Sequence, residues 1–432
     1  MSATVLDGPG VVAPQTPAER IVITGIGVIS SVGEGVDEFR EALRGGVSGA
    51  RKISAFDTTG YDREFACEVP RAADDSSGNG RAAQFAAEAA ARAIADAGLS
   101  ADQLRAARGA IAVGTTDGES QDIDELVRHE VAEDAGDADP LRRRVQPFRL
   151  ATAVARALEL SDVDVATIAT ACAAGNYAIG YGFEALRSGD AQYALVGGAD
   201  ALCRKTFTGF YRLGTITPDV CRPFDADRQG ILTGEGGCVL YLETERSARA
   251  RGARIYAEVR GYGLSCDATH PVAPDVTGIA RCMESALDKS GVTPADVDLV
   301  SAHGTGTHAN DVTECAALGT VFGEDLPTTV SIKSMLGHAM GAASALGAAA
   351  CAIAIESGFI PPTINHRETD PECPVDCVPN ESRPADLQVV VNDGLAFGGN
   401  NAVVVLGRPR TAEAHAAEAR IAADLQEEGS HV

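Results

Sequence analysis

Short runs of apolar residues recur along the chain and are separated by segments with helical spacing. The runs predict strands at residues 21–24, 110–113, 165–169, 194–196, 299–301, 329–332, 388–391 and 402–406. The intervening periodicity predicts helices at 81–97, 176–187, 311–318 and 340–355. Strands that alternate with helices in this way are typical of an α/β protein whose sheet is covered by helices.

The strand–helix series occurs twice, and its second occurrence begins near residue 255. The pattern predicts two duplicated halves, residues 20–255 and 256–410, between an N-terminal arm (1–19) and a C-terminal tail (411–432). Residues 119–145 are first acidic and then basic without a clear period, so we predict a loop or cap with short helices there. Each half contains a strand that leads into a loop of small residues.

Charge and composition restrict the partners and the location. The formal net charge is −25, which argues against binding to nucleic acid or to an anionic membrane. The apolar run 342–355 is too short to cross a bilayer and predicts a buried core helix. The eleven cysteines follow no repeating frame and the N-terminus has no secretory signal pattern, which together predict a reducing, cytoplasmic location.

Four residues in small-residue or glycine-rich settings carry candidate chemistry: Cys172, His303, Lys333 and His338. Cys172 lies between a predicted strand and a predicted helix, where unpaired N–H groups favour a thiolate. The two histidines each follow a predicted strand, and their N–H groups could hold the oxyanion of a thioester enolate. Lys333 and Glu314 are candidates for orienting them. Taken singly, each histidine could equally be structural.

Two other patterns are weak. Gly25 and Gly27 suggest a dinucleotide-binding loop, but the third glycine and the later acidic residue are not in place. Cys373 and Cys377 are four residues apart, but no second pair of ligands accompanies them. We therefore predict neither a dinucleotide site nor a zinc site.

Taken together, the motifs resemble those of the decarboxylating β-ketoacyl-ACP synthases, over residues 20–407. The matching residues are Cys172, His303, His338 and Lys333, with the acidic segment 310–314 and the glycine-rich loop 393–401. This resemblance implies a thiolase fold, with duplicated halves in five αβαβα layers. It also implies an acyltransferase that joins a Cys172-bound acyl group to malonyl-ACP with loss of carbon dioxide.

The resemblance assigns roles to further residues. The backbone N–H groups of Cys172 and Phe397 would form the oxyanion hole, and Phe397 would gate the site. Asp311 and Glu314 would lie behind the histidines. The residues implied to contact the substrate are Thr305, Thr307, Asp117, Phe210, Gly398 and Gly399.

Two positions of this sequence, Ala396 and Asp117, depart from the pattern of the family. Ala396 replaces the first glycine of the loop and would stiffen a hinge if that position needs a positive φ. Asp117 stands where the family lines the acyl pocket with an apolar side chain. Because a buried carboxylate without a partner is costly, either the acyl group is short, polar or polyunsaturated, or Asp117 points away.

Partners and pathway also follow from the resemblance. Substrates would arrive on the phosphopantetheine of an acyl carrier protein, without a metal or redox cofactor. The chain would form a homodimer, or a heterodimer with a chain-length factor. Candidate docking residues are Arg204, Lys205 and Arg212, or alternatively 142–144. Specialised polyketide synthesis is the favoured pathway.

Three alternatives remain open. The first is a housekeeping fatty-acid elongation synthase. The second is a non-catalytic chain-length factor, which usually lacks the nucleophile that Cys172 supplies here. The third is a thiolase, whose second reactive cysteine has no counterpart in the segment Gly398-Gly399-Asn400.

Overall fold

The computed structural model describes residues 19–72, 78–131, 139–146 and 148–409. Its strands are β1 (Ile21–Ser30), β2 (Gly33–Glu34), β3 (Arg51–Lys52), β4 (Phe65–Ala66), β5 (Gly109–Gly114), β6 (Val163–Ile168), β7 (Tyr193–Asp200), β8 (Gly236–Thr244), β9 (Ala257–Cys266), β10 (Leu299–Ser301), β11 (Thr328–Val330), β12 (Phe359–Ile360), β13 (Arg383–Pro384), β14 (Val389–Leu395) and β15 (Asn400–Gly407). Its helices are α1 (Gly35–Gly45), α2 (Arg81–Asp96), α3 (Ala101–Arg105), α4 (Ser120–Val131), α5 (Asp139–Arg144), α6 (Arg149–Ala157), α7 (Ala174–Arg187), α8 (Arg204–Arg212), α9 (Glu245–Ala250), α10 (Val276–Ser290), α11 (His308–Phe322), α12 (Lys333–Leu336) and α13 (Ala343–Ser357).

Within the described residues, eleven strands form one mixed sheet that contains an internal repeat. Its first half runs β6-β5-β7-β8-β1 and its second half runs β11-β10-β14-β15-β9. When the strands are numbered within each half, both orders read third, second, fourth, fifth, first. Antiparallel pairing of β1 with β9 joins the halves. The predicted α/β fold with duplicated halves is therefore confirmed.

Helices cover both faces of each half, so that three helical layers alternate with the two halves of the sheet in five layers. Helices α7 and α13 pack against each other between the two halves of the sheet. Helices α2 and α6 cover the outer face of the first half, and α10 and α11 cover that of the second. The segment Met340–Ser357 is apolar and long enough to span a membrane, but it is 89% buried, as the predicted core helix should be.

Gly25 and Gly27 have a packing role within β1. A Cβ atom on Gly25 would lie 2.1 Å from the carbonyl oxygen of Ala93, and one on Gly27 would lie 1.8 Å from that of Ala89. Both carbonyls belong to α2, which therefore lies directly on β1. The glycines permit this close approach of helix to strand, and the weak dinucleotide pattern has this explanation.

The segment 119–145 is more helical than its sequence suggested. It contains α4 and α5, whereas residues 132–138 between them lie outside the described residues. The predicted N-terminal arm, apart from Glu19, and the predicted tail 411–432 also lie outside them. The boundaries of the two predicted domains stay a prediction.

Candidate active site

Cys172 lies in a strained turn between a strand and a helix. Strand β6 leads into the 3₁₀ turn Ala171–Ala173, and α7 begins directly afterwards. Ala171 has a φ of 51°, a conformation that costs free energy for any residue with a Cβ. The turn points the buried sulfur of Cys172 into the site at the start of α7.

The prediction of a resting thiolate is wrong. Burial raises the pKa of the Cys172 thiol to about 12, and the positive charge of Lys333 lowers it only in part. The negative charges of Asp200 and Asp117 raise the pKa further. Desolvation thus outweighs the favourable position beside a helix terminus.

His303 and His338 meet at this sulfur. The Cys172 Sγ and one ring nitrogen of each histidine all lie within 4.8 Å of one another. The two rings stand edge to face, with centroids 5.2 Å apart and an interplanar angle of 81°. The structure therefore brings together the three residues that the sequence proposed from separate segments.

Both imidazoles are neutral in this site. Burial lowers the pKa of His338 to about 3, and the charge of Lys333 acts in the same direction. Burial, followed by Lys333 and His338, lowers the pKa of His303 well below its ordinary value. Nδ1 of His338 accepts a hydrogen bond from the Met340 N–H at 3.2 Å, which places the ring proton on Nε2. His338 can therefore donate a hydrogen bond to an oxyanion.

Two buried carboxyl groups on α11 support the loop that carries His303. Glu314 accepts hydrogen bonds from the backbone N–H groups of His303 and Gly304, at 2.6 and 2.7 Å. Asp311 accepts from the N–H groups of Phe224 and Gly306, at 3.0 and 3.2 Å. The predicted location of both acids behind the histidines agrees with this geometry.

Lys333 is the buried cation of the site and the first residue of α12. Burial lowers the pKa of its ammonium group, whereas Glu314 and Cys172 raise it. Its charge acts on all three reactive groups, because it lowers the pKa of Cys172, His303 and His338. Lys333 therefore stabilises negative charge at the sulfur and, after burial, is the second factor that favours the neutral histidines.

A cavity of about 290 Å³ leads to Cys172. Besides Cys172, His303 and His338, five further residues predicted from the resemblance line it, namely Phe210, Thr305, Thr307, Phe397 and Gly399. Gly398 does not line it. Sequence reasoning missed the lining residue Asp267, whose carboxylate accepts a hydrogen bond from the Asn401 side chain at 2.6 Å. No local pattern distinguished this aspartate from other polar loop residues.

The glycine-rich loop presents Phe397 at the mouth of the cavity. Phe397 is 41% exposed, and its ring lies 5.6 Å from that of Phe210 on α8. Ala396 is extended, with a φ of −134°, so alanine is accommodated there without strain. Gly399 has a φ of 75°, and a Cβ on it would lie 2.7 Å from Cβ of Asp267, so a glycine is required.

The carboxylate of Asp117 is paired. Asp117 is absent from the lining of the mouth cavity, although its charge reaches Cys172. Its Oδ1 lies 2.6 Å from the Lys205 ammonium, and its Oδ2 accepts a hydrogen bond from the Thr206 hydroxyl at the start of α8. Because these partners compensate the burial of the carboxylate, its cost places no restriction on the acyl group, and contact between Asp117 and the acyl group stays a prediction.

This pairing also changes the candidate docking surface. Lys205 is engaged by Asp117, whereas Arg204 and Arg212 are exposed at the two ends of α8. In the alternative run, Arg142 lies near Glu130 and Asp139, and Arg144 near Asp122. Arg143 of the alternative run is also exposed, so both patches present positive charge and both stay candidate docking surfaces.

In the part of the chain that the structure describes, two groups of side chains have atoms close enough to share a metal ion. Cys172, His303 and His338 have suitable donor atoms, but the positive charge of Lys333 beside them opposes a cation. The second group, His308, Asp370 and Glu372, is largely exposed. Asp370 is already bound to Arg228 at 2.5 Å. The charge of Lys333 and the ion pair of Asp370 with Arg228 therefore argue against a metal ion at either group.

Two consecutive segments of the sequence match the models of two protein domains. The family described as "Beta-ketoacyl synthase, N-terminal domain" matches residues 18–248, and "Beta-ketoacyl synthase, C-terminal domain" matches residues 256–367. The chain is 35% identical over 429 residues to the tetracenomycin polyketide synthase ketoacyl synthase alpha subunit of Streptomyces glaucescens, covering 91% of this chain and 98% of the relative. It is also 35% identical over 412 residues to 3-oxoacyl-[acyl-carrier-protein] synthase 2 of Staphylococcus aureus, covering 90% and 98%.

Solved structures agree with this assignment. A chain of the structure titled "The ishigamide ketosynthase/chain length factor" is 56% identical, with a TM-score of 0.88 over 91% of this chain and all of that chain. A type II polyketide synthase ketosynthase in complex with its acyl-carrier protein is 30% identical, with a TM-score of 0.85 over the same shares. The fold, the Cys-His-His geometry and these similarities lead to one conclusion: this chain belongs to the β-ketoacyl synthase family.

Proposed function

We propose that this chain is a ketosynthase that joins a Cys172-bound acyl group to malonyl-ACP and releases a β-ketoacyl-ACP and carbon dioxide. The observation that carries the proposal is the meeting of the Cys172 sulfur with the nitrogens of His303 and His338 within 4.8 Å. The acyl group and the malonyl group both arrive as thioesters of phosphopantetheine. The reaction needs no metal or redox cofactor.

The first half-reaction transfers the acyl group. The Cys172 sulfur attacks the carrier thioester, an S–C bond forms, and the carrier thiol leaves with the proton that Cys172 gives up. A neutral imidazole next to the sulfur is the nearest base for that proton. The partly exposed Phe397 lies at the mouth of the cavity through which the carrier thioester would reach Cys172.

The second half-reaction forms the carbon–carbon bond. Loss of carbon dioxide breaks a C–C bond of the malonyl thioester, and its electron pair moves into an enolate. Nε2–H of His338 and a nitrogen of His303 stabilise the enolate oxygen. The enolate carbon then attacks the acyl carbon on Cys172, the C–S bond breaks, and the sulfur regains a proton.

Polyketide synthesis is the pathway that the similarities favour. The chain is 35% identical to the tetracenomycin polyketide synthase ketoacyl synthase alpha subunit and 30% identical to a type II polyketide synthase ketosynthase, and it is 56% identical to a chain of the ishigamide ketosynthase/chain length factor. We assign it the catalytic role in a heterodimer with a chain-length factor, because Cys172 is present and lies in a competent site. Its place of action is the cytoplasm.

Reconstitution tests this function. The chain is co-purified with a candidate chain-length-factor subunit and supplied with acyl and malonyl groups on an acyl carrier protein. We expect carbon dioxide release and a β-ketoacyl-carrier product, which Cys172→Ala abolishes. His303→Ala and His338→Ala should still load the acyl group but extend it about 10²–10³-fold more slowly. Extension at the normal rate without Cys172 would refute the proposal.

Carrier docking is assigned to α8. Arg204 and Arg212 are exposed there, and an acidic carrier would meet positive charge beside the cavity residues Phe210 and Leu213. Arg204→Glu and Arg212→Glu should raise KM for the carrier-bound substrate and leave activity with a small-thiol surrogate unchanged. Arg246→Glu, at an exposed arginine of α9, is the matched control. Equal effects on both substrates would exclude this surface.

A further inference from the structure

The turn after His338 contains a buried residue in a rarely populated conformation. Met340 begins the 3₁₀ turn Met340–Ala342 and has a φ of 49°. For a residue with a Cβ, this left-handed region costs of order 1–3 kcal/mol. Met340 is buried, so contacts with the surrounding protein must hold the conformation in place.

Asp200 supplies such a contact from the end of β7. Its side chain is fully buried, and its Oδ2 accepts a hydrogen bond from the Gly341 N–H at 2.6 Å. The same carboxylate accepts from the Thr115 hydroxyl and from the N–H groups of Thr116 and Asp117, at 2.6, 2.8 and 3.0 Å. Asp200 thus ties the loop after β5 to the turn after His338.

The hydrogen bond to Gly341 fixes one of the two peptide planes at Met340. Because φ and ψ of Met340 together relate that plane to the preceding one, the left-handed conformation aims the Met340 N–H at His338. This N–H donates to Nδ1 of His338 at 3.2 Å. A Cβ on Gly341 would lie 2.4 Å from the Cα of Thr115 and 2.7 Å from Oδ2 of Asp200, so glycine permits the contact.

We propose that Asp200 is a positioning residue for His338, because it holds Met340 in the left-handed conformation and so fixes the imidazole with its proton on Nε2. The inference rests on the proposed function only in that Nε2–H is the group that meets the enolate oxygen. The tautomer of His338 is a property of the protein alone and can be measured without substrate.

Nitrogen NMR of the labelled wild-type protein is the first test. The imidazole ¹⁵N shifts should show His338 as neutral with its proton on Nε2, and Asp200→Ala should weaken this preference. A wild-type His338 that carries its proton on Nδ1 would overturn the inference. That result needs no turnover, so it is independent of whether the chain is a ketosynthase.

A rescue experiment separates positioning from general stability. Asp200→Ala should slow malonyl-carrier decarboxylation about 10–100-fold, the range found for groups that orient metal-binding histidines. It should leave acylation of Cys172 in place. Met340→Gly, which adopts a positive φ without strain, should restore part of the lost rate and of the tautomer preference in the Asp200→Ala background.

Two controls complete the design. Met340→Ala removes nearly the same side-chain volume but keeps the strain, so it should restore nothing. Thr115→Val removes another hydrogen bond of Asp200 without touching the turn, and should preserve the tautomer. Equal rescue by Met340→Gly and Met340→Ala would refute the role of the Met340 turn. A loss of the His338 tautomer preference in Thr115→Val as large as that in Asp200→Ala would refute it too.

Discussion

Glu314 binds the backbone of His303 and does not bind its ring. Its Oε1 accepts from the His303 N–H at 2.6 Å, while its Oε2 accepts from the Gly304 N–H at 2.7 Å. Gly304 has a φ of 35°, and a Cβ there would lie 2.6 Å from that of Ser331. The carboxylate therefore fixes a tightly packed turn and, through it, the position of the imidazole.

Replacement of Glu314 tests this role. Glu314→Gln keeps one acceptor oxygen, whereas Glu314→Ala removes both. Hydrogen bonds to a charged group contribute about 1.5–3 kcal/mol, so the alanine variant should slow decarboxylation by roughly 10- to 100-fold, and glutamine by less. Stopped-flow measurement of carbon dioxide release gives the rates. A larger decrease of the decarboxylation rate in Glu314→Gln than in Glu314→Ala would contradict this account.

The pH dependence of decarboxylation should follow Glu314. Burial raises the pKa of Glu314 to about 7, and the ionised form is the one that accepts both N–H groups. The rate should therefore fall as the pH falls through about 7, and Glu314→Gln should reduce that fall; burial also raises the pKa of Asp200 to about 7, so Asp200 can cause the remainder. His338 contributes nothing in this range, because its pKa is depressed to about 3. A fall of unchanged size in Glu314→Gln would contradict the role of Glu314.

Cysteine labelling should depend on the reagent. Among the eleven cysteines, Cys266 is exposed and Cys172 is buried with a raised pKa. A bulky, charged maleimide should therefore modify Cys266 first, although the sequence predicts a position that favours a thiolate for Cys172. An electrophile on a pantetheine arm should modify Cys172 through the cavity. Peptide mapping that finds Cys172 labelled first by the bulky reagent would contradict the structure.

Asp393 should make stability depend on pH. It lies on β14 between Val391 and Leu395, is 2% exposed, and neither carboxyl oxygen has a hydrogen-bond partner among the described residues. Burial, and then Glu314, raise its pKa well above the ordinary value, while Lys333 lowers it. The folded protein thus keeps a proton that the unfolded chain releases above pH of about 4.

The sign of this effect follows from the protons bound. Because the unfolded state binds fewer protons, the wild-type protein loses stability as the pH rises, by about 1.4 kcal/mol per unit, until Asp393 ionises in the folded state. Asp393→Leu should therefore gain stability relative to wild type as the pH rises from 4. Denaturant titrations at several pH values measure the difference. The exposed Asp37→Leu is the control, and an equal slope there would refute the assignment.

The identity of the reactive residues could be predicted from the sequence, whereas their chemical environment could not. Cys172, His303 and His338 could be recognised because each follows a predicted strand in a loop of small residues, and the ends of neighbouring strands converge. Their protonation states could not be predicted, since they depend on desolvation by residues from several distant segments. The ion pair of Asp117 could not be predicted either, because its partner Lys205 lies 88 residues further along the chain.

Other differences have local physical causes. The two glycines of β1 look like a phosphate-binding loop in sequence because both uses require a missing Cβ, and only the contact with α2 distinguishes them. The role of Asp200 depends on a hydrogen bond to Gly341 across 141 residues. No local periodicity records such a contact. The strained φ of Met340 likewise follows from tertiary structure, because methionine does not favour it.

Intact-protein mass spectrometry through one reaction cycle tests the central claim most directly. The chain, with its partner subunit, is incubated first with an acyl carrier and then with malonyl carrier. We predict a mass increase equal to the acyl group, located on Cys172, that disappears on extension in wild type but persists in His303→Ala and His338→Ala. An unmodified Cys172, or an adduct that discharges equally fast in all three proteins, would contradict the account.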